Sequence, residues 1–378
     1  MKIADVRVLG VRVNHRGNWI FVEVETDDGV VGLGEASHSG NDAALTFLIR
    51  HSLRPKLIGR DASSVEAIWR DLAQRAAGGL IDGRLEATAL SGVEHALWDI
   101  NGQALGVPIH RLLGGALRDR VRLYANINRH VTDRSPVGFA TAAASAVSEG
   151  FTAVKLAPFD NVQWSQRDRA ESRTALARGI ERVAAVREAI GPDVELMVDC
   201  HERFNREMAV RVGRELAKLD VVWFEDPTEP TDDLQGLMGI RAELDLPLVT
   251  GERLFGRAAF WPLLTSGVVG TIMPDVKHCG GLWEGKKIAA MAEAARVMVS
   301  PHNPSGPIAA LASAHLAATM PNFSRLEFAW GEVSWRAGLT APAEPISNGE
   351  LAVPQTPGLG ATLTTGLLDE HGFDPGAA

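Results

Sequence analysis

Alternating apolar and polar residues open the chain and predict an antiparallel sheet. The alternation runs over residues 2–13 and 20–26, and Asp27-Asp28-Gly29 is a strong hairpin signal before the apolar run 30–34. Apolar positions then recur with helical spacing and predict helices over 42–57, 64–76 and 86–105. This order indicates an α+β domain that ends near Leu113-Gly114-Gly115.

From residue 121 onward the pattern becomes a strand, a polar turn and an amphipathic helix, repeated. Short apolar runs predict strands at 121–125, 152–156, 194–199, 221–225, 247–251, 269–274, 297–301 and 325–328, with helices between them, for example at 138–149, 178–190, 207–219 and 284–295. This repeat is typical of a β/α barrel. We therefore predict an α/β fold: a (β/α)7-8 TIM-type barrel over 119–340 and an N-terminal α+β capping domain over 1–118. The C-terminal segment, 341–378, is predicted to pack back on the capping domain and complete it.

Length and composition narrow the class of protein. A chain of 378 residues exceeds the size at which one hydrophobic core usually stops growing, which agrees with two domains. A net charge of −9 argues against a nucleic-acid partner, because phosphate binding needs a basic face. Cys200 and Cys279 form no disulfide framework, and no leader-like or membrane-spanning apolar segment is evident. We expect a soluble, cytoplasmic protein with no membrane partner.

Ionisable residues stand at the ends of consecutive predicted strands. Three acids, Asp199, Glu225 and Glu252, follow apolar runs and are 26 and 27 residues apart. A buried carboxylate needs a partner, and a β/α barrel gathers its strand ends at the face where such barrels carry out chemistry. Three converging carboxylates suit a hard cation such as Mg²⁺. The full series of strand-end residues is Lys155, Asp199, Glu225, Glu252, Asp275, His302 and Glu327.

This series resembles the enolase superfamily, in particular its mandelate-racemase-like branch. The resemblance covers nearly the whole chain and includes four segments: residues 89–99 (ALSGVEHALWD), Trp223-Phe224-Glu225-Asp226-Pro227, Gly251-Glu252-Arg253 and Pro274-Asp275. It implies that Asp199, Glu225 and Glu252 bind Mg²⁺, which holds the carboxylate of the substrate. It also implies that Asp275 and His302 form an acid/base dyad that removes the proton on the adjacent carbon, giving an enediolate.

The chemistry of the other residues agrees with that assignment. A proton next to a carboxylate is weakly acidic, so the developing charge needs strong local positive charge, which a metal and Lys155 would supply. Asp275 would orient His302 and raise its basicity. Glu327, if protonated, would donate a hydrogen bond to the enediolate. Lys155 has a second interpretation, as a structural counter-ion of the three acids.

Two local features select a reaction. Strand geometry puts Asp199 and His201 on one side, and this Asp-x-His arrangement resembles galactonate- and mannonate-dehydratase-like members, in which a histidine is the general acid for the departing hydroxide. In Lys155-Leu156-Ala157, alanine stands where branch members with a Lys-x-Lys pair carry a base. We therefore predict a hydro-lyase that uses His302 and His201 to dehydrate a sugar acid, an aldonate or aldarate, to a 2-keto-3-deoxy acid.

Several alternatives remain at this point. A racemase, epimerase or cycloisomerase on the same scaffold needs a base opposite His302, which the polar connection 158–178 could supply. His201 could instead only bind a substrate hydroxyl. A metal-binding barrel without catalysis would retain the ligands and lose the dyad, and metallohydrolase barrels favour histidine-rich ligand sets. The family resemblance implies a homo-oligomer, and residues 15–19 (HRGNW) are a candidate substrate loop.

Overall fold

The capping domain is an antiparallel sheet backed by helices. A computed structural model describes residues 1–73, 83–229 and 234–377 of the chain. The predicted hairpin is present, since the strands on either side of Asp27-Asp28-Gly29 pair in antiparallel register. The predicted helix over 64–76 is described as far as residue 73, and 74–76 lie outside the described residues. The elements are β1 (Ile3–Asn14), β2 (Gly17–Thr26), β3 (Val31–Glu35), α1 (Asp42–Phe47), a π-helical stretch (Leu48–Leu53), α2 (Arg54–Leu57), α3 (Val65–Ala73), α4 (Arg84–Leu105) and α5 (Ile109–Leu112).

The barrel follows as eight parallel strands within the described ranges, and the predicted fold class is confirmed. Strands β4 to β10 pair in chain order, β11 pairs with β4, and the Glu327 N–H donates to the Pro301 carbonyl where β10 and β11 meet. The strands are β4 (Arg120–Asn126), β5 (Ala153–Leu156), β6 (Glu195–Asp199), β7 (Val221–Glu225), β8 (Leu248–Thr250), β9 (Thr271–Ile272), β10 (Met298–Val299) and β11 (Leu326–Phe328). The helices are α6 (Pro136–Ser148), α7 (Ala170–Ile190), α8 (Arg206–Ala217), α9 (Leu234–Glu243), α10 (Gly256–Ser266), α11 (Leu282–Ala294) and α12 (Pro307–Ala318).

The connection after β5 is shorter than the sequence predicted. Helix α7 begins at Ala170, not near Arg178, so the connection ends about two helical turns earlier. The first turns of α7 are polar and mostly exposed, which hides their helical periodicity in the sequence. A short 3₁₀ turn, Trp164–Gln166, lies within the connection, and its tryptophan is exposed.

The C-terminal segment contacts both the barrel and the first sheet. Its elements are β12 (Thr340–Ala341), β13 (Ile346–Ser347), β14 (Glu350–Ala352), β15 (Thr362–Leu363), α13 (Thr365–His371) and β16 (Gly372–Phe373). Strand β14 pairs with β4, and β16 pairs with β1. The domain boundaries at 118 and 340 stay predictions. Within the described ranges, no helix combines the length and apolar character that crossing a membrane requires.

Buried carboxylates of the capping domain join it to the barrel at the starts of two helices. Glu94 on α4 accepts hydrogen bonds from the N–H groups of Leu282 and Trp283 at the start of α11, at 2.8 and 2.9 Å. Glu35, at the end of β3, accepts two more at the start of α12, both at 2.8 Å. Negative charge is favoured at a helix N-terminus, where backbone N–H groups lack helical partners. These contacts hold the capping domain over the barrel.

Candidate active site

Most of the predicted residues form a layer of inward-pointing side chains in the barrel, next to an apolar layer and nearer the carboxyl ends of the strands. Buried side chains of Tyr124, Ala153, Met197, Trp223, Val249 and Met273 pack together as one cluster inside the barrel. Side chains two residues apart on a strand point the same way, so the next inward position on each strand lies toward the carboxyl end, where barrels carry their active sites. Those positions are Asn126, Lys155, Asp199, Glu225, Gly251 and Asp275.

The acid that follows β8 comes one residue later than this register predicts. The inward position just after β8 is Gly251, and the acid is Glu252. Gly251 has φ +124°, a backbone conformation that L side chains rarely adopt. A Cβ there would also lie 3.0 Å from the ring of Phe260. The turn at Gly251 ends the strand and brings Glu252 to the site, where Oε2 lies 2.9 Å from Nε2 of His302.

Each of the three predicted ligands contacts a cationic side chain. Asp199 Oδ2 lies 2.6 Å from Nε2 of His201, and Glu225 Oε1 lies 2.7 Å from Nζ of Lys155. Glu252 contacts Nε2 of His302. Across the described part of the chain, no three Asp, Glu, His or Cys side chains stand in an arrangement that could hold a metal ion. To bind one ion together, the three carboxylates would have to turn from these partners.

The donor chemistry nevertheless fits a divalent cation. Oε2 of Glu225 is buried and has no hydrogen-bond partner among the described residues. Burial, together with the carboxylates of Asp199, Glu327 and Glu252, raises the pKa of Glu225 to about 8, although Lys155 opposes the shift. Buried carboxylates that repel one another, one of them with a free oxygen, match the oxygen-rich sites that bind Mg²⁺. Asp199, Glu225 and Glu252 are the residues that would hold it.

Lys155 and Glu327 form the floor of the site. The Lys155 ammonium lies between Glu225 and Glu327, 3.1 Å from the latter, and 5.3 Å from the ring centre of Tyr124. Glu327 also accepts hydrogen bonds from the Asn126 amide at 2.6 Å and from the Asn303 N–H at 2.9 Å. Although burial opposes it, Lys155 and the other donors lower the pKa of Glu327. This environment favours the carboxylate form of Glu327, whereas the predicted role requires a proton on it, and that role stays a prediction.

His302 lies between two acids, Asp275 and Glu252. The contact with Asp275 is the one that the predicted dyad requires. Nδ1 of His302 is 2.7 Å from Oδ2 of Asp275, which also accepts from Nζ of Lys277 at 2.7 Å. Nε2 points to Glu252. Burial opposes protonation, but Glu252 and Glu327 outweigh it and raise the pKa of His302 to about 10. The ring thus has one nitrogen held by Asp275 and the other directed at the carboxylates of the site.

His201 reaches the site through a turn. Strand β6 ends at Asp199, and the next residues include two with positive φ, His201 (+45°) and Glu202 (+58°). The Asp199 carboxylate accepts the His201 N–H at 2.8 Å and contacts its ring at 2.6 Å. Left-handed backbone at non-glycine residues is costly and clusters at functional sites. The His201 side chain is 42% exposed, so it is the more accessible of the two histidines.

At residue 157, where branch members with a Lys-x-Lys pair carry a base, this chain offers no side chain for proton transfer. Ala157 is buried, and its carbonyl accepts a hydrogen bond from Arg134 at 2.8 Å. The nearest acid of the following connection, Asp160, pairs with Arg134 at 2.7 Å and with Arg182 at 3.2 Å. A carboxylate held by two guanidinium groups is a poor base, since they lower the pKa of Asp160 against the effect of burial.

Some residues of the site were not singled out in the sequence. Asp226 is buried beside Glu225, and burial with Glu252 and Glu225 raises its pKa well above normal. Asn126 could have been found from the strand register, as it stands two residues after Tyr124 on β4. The capping domain contributes to a narrow cavity beside His302. Its lining includes Asn18, Trp19, Ser37, His38, Ser39 and Arg84 from the capping domain and Arg129, Lys277 and His278 from the barrel.

Comparison with known proteins agrees with the fold. Residues 5–114 match the mandelate racemase / muconate lactonizing enzyme N-terminal domain, and residues 138–366 match the enolase C-terminal domain-like family. D-xylonate dehydratase of Haloferax volcanii is 34% identical, over 98% of this chain and 89% of its own length. D-galactonate dehydratase of Verminephrobacter eiseniae is 34% identical (94% and 91%), and D-gluconate dehydratase of Thermoproteus tenax is 33% identical (94% and 70%).

Solved structures agree as well. A mandelate racemase/muconate lactonizing enzyme from Jannaschia sp. CCS1 superposes with a TM-score of 0.88 at 30% identity, covering 99% of this chain and 98% of that one. A member of the enolase superfamily from Salmonella Typhimurium gives 0.88 at 29% identity, covering 99% and 100%. The resemblance inferred from the strand-end residues is confirmed. The chain belongs to the mandelate racemase / muconate lactonizing enzyme family of the enolase superfamily.

Proposed function

We propose that this protein is a Mg²⁺-dependent hydro-lyase that converts a sugar acid, an aldonate or aldarate, to a 2-keto-3-deoxy acid through an enediolate. The observation that carries the proposal is the pair of histidines, His201 and His302, each in contact with one of the three acids. The relatives described above are named for dehydration of D-xylonate, D-galactonate and D-gluconate. We also infer a homo-oligomer in the cytoplasm; its two cysteines are free and buried, in keeping with a reducing compartment.

His302 is the base in this account. Nε2 of His302 would accept the proton from C2 of the substrate once Glu252, its partner at 2.9 Å, turned to hold a cation. Asp275 accepts the Nδ1–H bond and stabilises the imidazolium that results. Bound Mg²⁺ would supply Lewis-acid charge to the substrate carboxylate. The ammonium of Lys155 adds positive charge beside the developing enediolate.

His201 is the general acid. It donates a proton to the hydroxyl leaving from C3, so the C3–O bond breaks and water departs. The Asp199 contact raises the pKa of His201, outweighing burial, and so keeps a proton available on the ring. The enol that remains takes a proton at C3 and becomes the 2-keto-3-deoxy acid. Two histidines near the same acids suit a reaction that removes one proton and delivers another.

The second candidate is a racemase or epimerase on the same scaffold. It needs an acid/base group on the face opposite His302, and Ala157 with the doubly paired Asp160 leaves that face without one among the groups described above. The candidate is kept because C2 proton abstraction by His302 is common to both reactions. It is ranked second for lack of the opposing base.

The experiment is a screen of aldonates and aldarates with Mg²⁺ present, in which the absorbance of the semicarbazone measures keto-acid formation. We expect at least one substrate to give product, and the His302→Asn variant to give none. The matched control is His51→Asn, an exposed histidine of the capping domain, which we expect to retain wild-type activity. If His302→Asn kept full turnover, the assigned base would be wrong.

A further inference from the structure

Arg16 of the capping domain forms no ion pair with an acid among the described residues. Arg16 is in the turn between β1 and β2, and its Nε is buried with no hydrogen-bond partner among the described residues. Burial, followed by the charges of Arg134, Arg129 and Arg203, lowers the pKa of Arg16, while Asp160 acts in the opposite direction. We refer to Arg16, Arg129, Arg134 and Arg203 as the arginine cluster.

The carboxylates near the arginine cluster are already shared. Asp160 pairs with Arg134 and also with Arg182, which is outside the cluster. Glu332 pairs with Arg129 and lies 3.9 Å from Arg336. Neither acid therefore has a free charge to offset the remaining members of the cluster.

The remaining members have no ionic partner in the described ranges. Arg203 makes one long hydrogen bond, 3.4 Å, to the carbonyl of Val162, and Arg16 has no carboxylate within ion-pair distance. Guanidinium groups gathered without enough acids repel one another, and burial makes that repulsion more costly. In a chain with a net charge of −9, this local excess of positive charge favours the binding of an anion.

The arginine cluster lies at the mouth of the proposed active site. Arg129 and Arg134 follow β4, Asp160 follows β5, and Arg203 comes two residues after His201 at the end of β6. Arg129 also lines the narrow cavity beside His302.

The capping-domain hairpin is anchored over the same strand ends. The Asn14 amide donates to the Glu332 carbonyl at 3.5 Å, and the Arg16 N–H bonds to Asn14 at 2.8 Å. A substrate that extends from the three acids toward the capping domain therefore meets the cluster.

We propose that the arginine cluster binds a second anionic group of the substrate, at the end remote from the carboxylate that reacts. A carboxylate, as in an aldarate, or a phosphate, as in a 6-phosphoaldonate, would have this chemistry, because a guanidinium binds either anion in a bidentate manner. The inference rests on the proposed function and narrows its substrate class. Arg16 is a specificity residue here, and it takes no part in the proton transfers.

The experiment compares three ligands of matched stereochemistry: an aldonate, the aldarate, and the 6-phosphoaldonate. Dissociation constants with Mg²⁺ present are obtained from shifts in the unfolding midpoint, and keto-acid formation is measured separately. The variants are Arg16→Met and Arg16→Lys, which retains the charge but not the planar fork. The control is Arg211→Met, an exposed arginine on α8. Each variant's unfolding midpoint without ligand verifies that it is folded.

We expect wild type to bind the aldarate or the 6-phosphoaldonate about 10- to 100-fold more tightly than the aldonate, the range for hydrogen bonds to charged groups. Arg16→Met should remove that preference, weakening the binding of the preferred dianion far more than that of the aldonate, and Arg16→Lys should retain part of it. The preferred dianion identifies the source of the second group. The Arg211→Met protein should match wild type with all three ligands.

Failure of this inference and failure of the proposed function give different results. If wild type dehydrates aldonates and binds all three ligands equally, the arginine cluster does not recognise a second anion, and the proposed dehydration stands. The inference is also overturned if Arg16→Met weakens all three ligands by the same factor. If wild type prefers a dianion through Arg16 and forms no keto acid, the inference stands and the proposed dehydration fails.

Discussion

Asp275 and His302 are joined across two neighbouring barrel strands by a contact of 2.7 Å between Oδ2 and Nδ1. The ammonium of Lys277 and the charge of His302 lower the pKa of Asp275 well below its usual range, although burial opposes them. Asp275 is therefore ionised, and Nδ1 of His302 is the donor in this hydrogen bond. Only Nε2 is left to exchange a proton with a substrate, and the ring is held in one orientation for that purpose.

The Asp275→Asn variant tests this relationship. We expect kcat to fall by roughly 100-fold or more with little change in KM, because the loss of the carboxylate removes both the orientation of His302 and its charge support. Steady-state keto-acid formation on the best substrate measures the effect. The control is Asp245→Asn, an exposed residue, which should match wild type. A kcat for Asp275→Asn within twofold of wild type would show that the dyad is not used.

The response to Mg²⁺ tests the three-acid site without any activity. We expect Mg²⁺ to raise the unfolding midpoint of the wild-type protein, because a cation relieves the repulsion among buried carboxylates and binds only the folded state. Glu225→Gln removes one charge and the free Oε2, so the shift should largely disappear. Glu215→Gln is the control, because this residue of α8 is 42% exposed and pairs only with the surface residue Lys218 among the described residues. An undiminished Mg²⁺ shift in Glu225→Gln would exclude this residue as a ligand.

Gly281 lies where the capping domain and the barrel pack closely together. A Cβ on Gly281 would lie 2.2 Å from Oε2 of Glu94, the acid that accepts from the start of α11, and φ there is +97°. We expect Gly281→Ala to destabilise the protein by about 2 kcal/mol or more in urea unfolding, through strain and a displaced buried carboxylate. Gly270→Ala, where a Cβ meets nothing within 4 Å, should change stability by less than about 0.5 kcal/mol. Equal effects in both would contradict this packing account.

Acidification should weaken the attachment of the C-terminal segment through His315. Nε2 of this buried residue is 3.1 Å from the Leu359 carbonyl, and burial lowers the pKa of His315 from 6.5 to about 4. Because the folded pKa is the lower one, its contribution is present above pH 6.5 and is lost as pH falls toward 4. The free energy of unfolding lost in this way amounts to roughly 2–3 kcal/mol at pH 4.5.

The measurement is urea unfolding at pH 7 and pH 4.5 for wild type, His315→Gln and His51→Gln. His315→Gln should lose less stability on acidification than wild type, by about the amount given above. His51 is exposed, so its variant should follow wild type. Parallel losses in all three proteins would show that His315 is not responsible for the acid sensitivity.

The order of elements, and the position of most predicted site residues at the strand ends of the barrel, could be read from the sequence. Apolar runs that end in an ionisable residue predicted Lys155, Asp199, Glu225 and Asp275 correctly at strand ends, because a buried strand constrains both its hydrophobicity and its register. The sequence could also have predicted Asn126, which has the same register on β4. These predictions depend on local periodicity, which a single chain displays directly.

Other features depend on long-range contacts, which local periodicity does not report. The polar first turns of α7 hid its true start at Ala170. The ionised state of Glu327 follows from Lys155, Asn126 and Asn303, which come from three separate parts of the chain. The excess charge around Arg16 likewise arises only when the hairpin of the capping domain folds over three strand ends.

The central claim is one-face dehydration with His302 as the only base at C2. The most direct measurement is an NMR spectrum of the reaction run in D₂O with Mg²⁺ and the best sugar acid. The account predicts a 2-keto-3-deoxy acid with deuterium at C3, and remaining substrate of unchanged configuration. Substrate that returns deuterated and inverted at C2, with no keto acid formed, would contradict it.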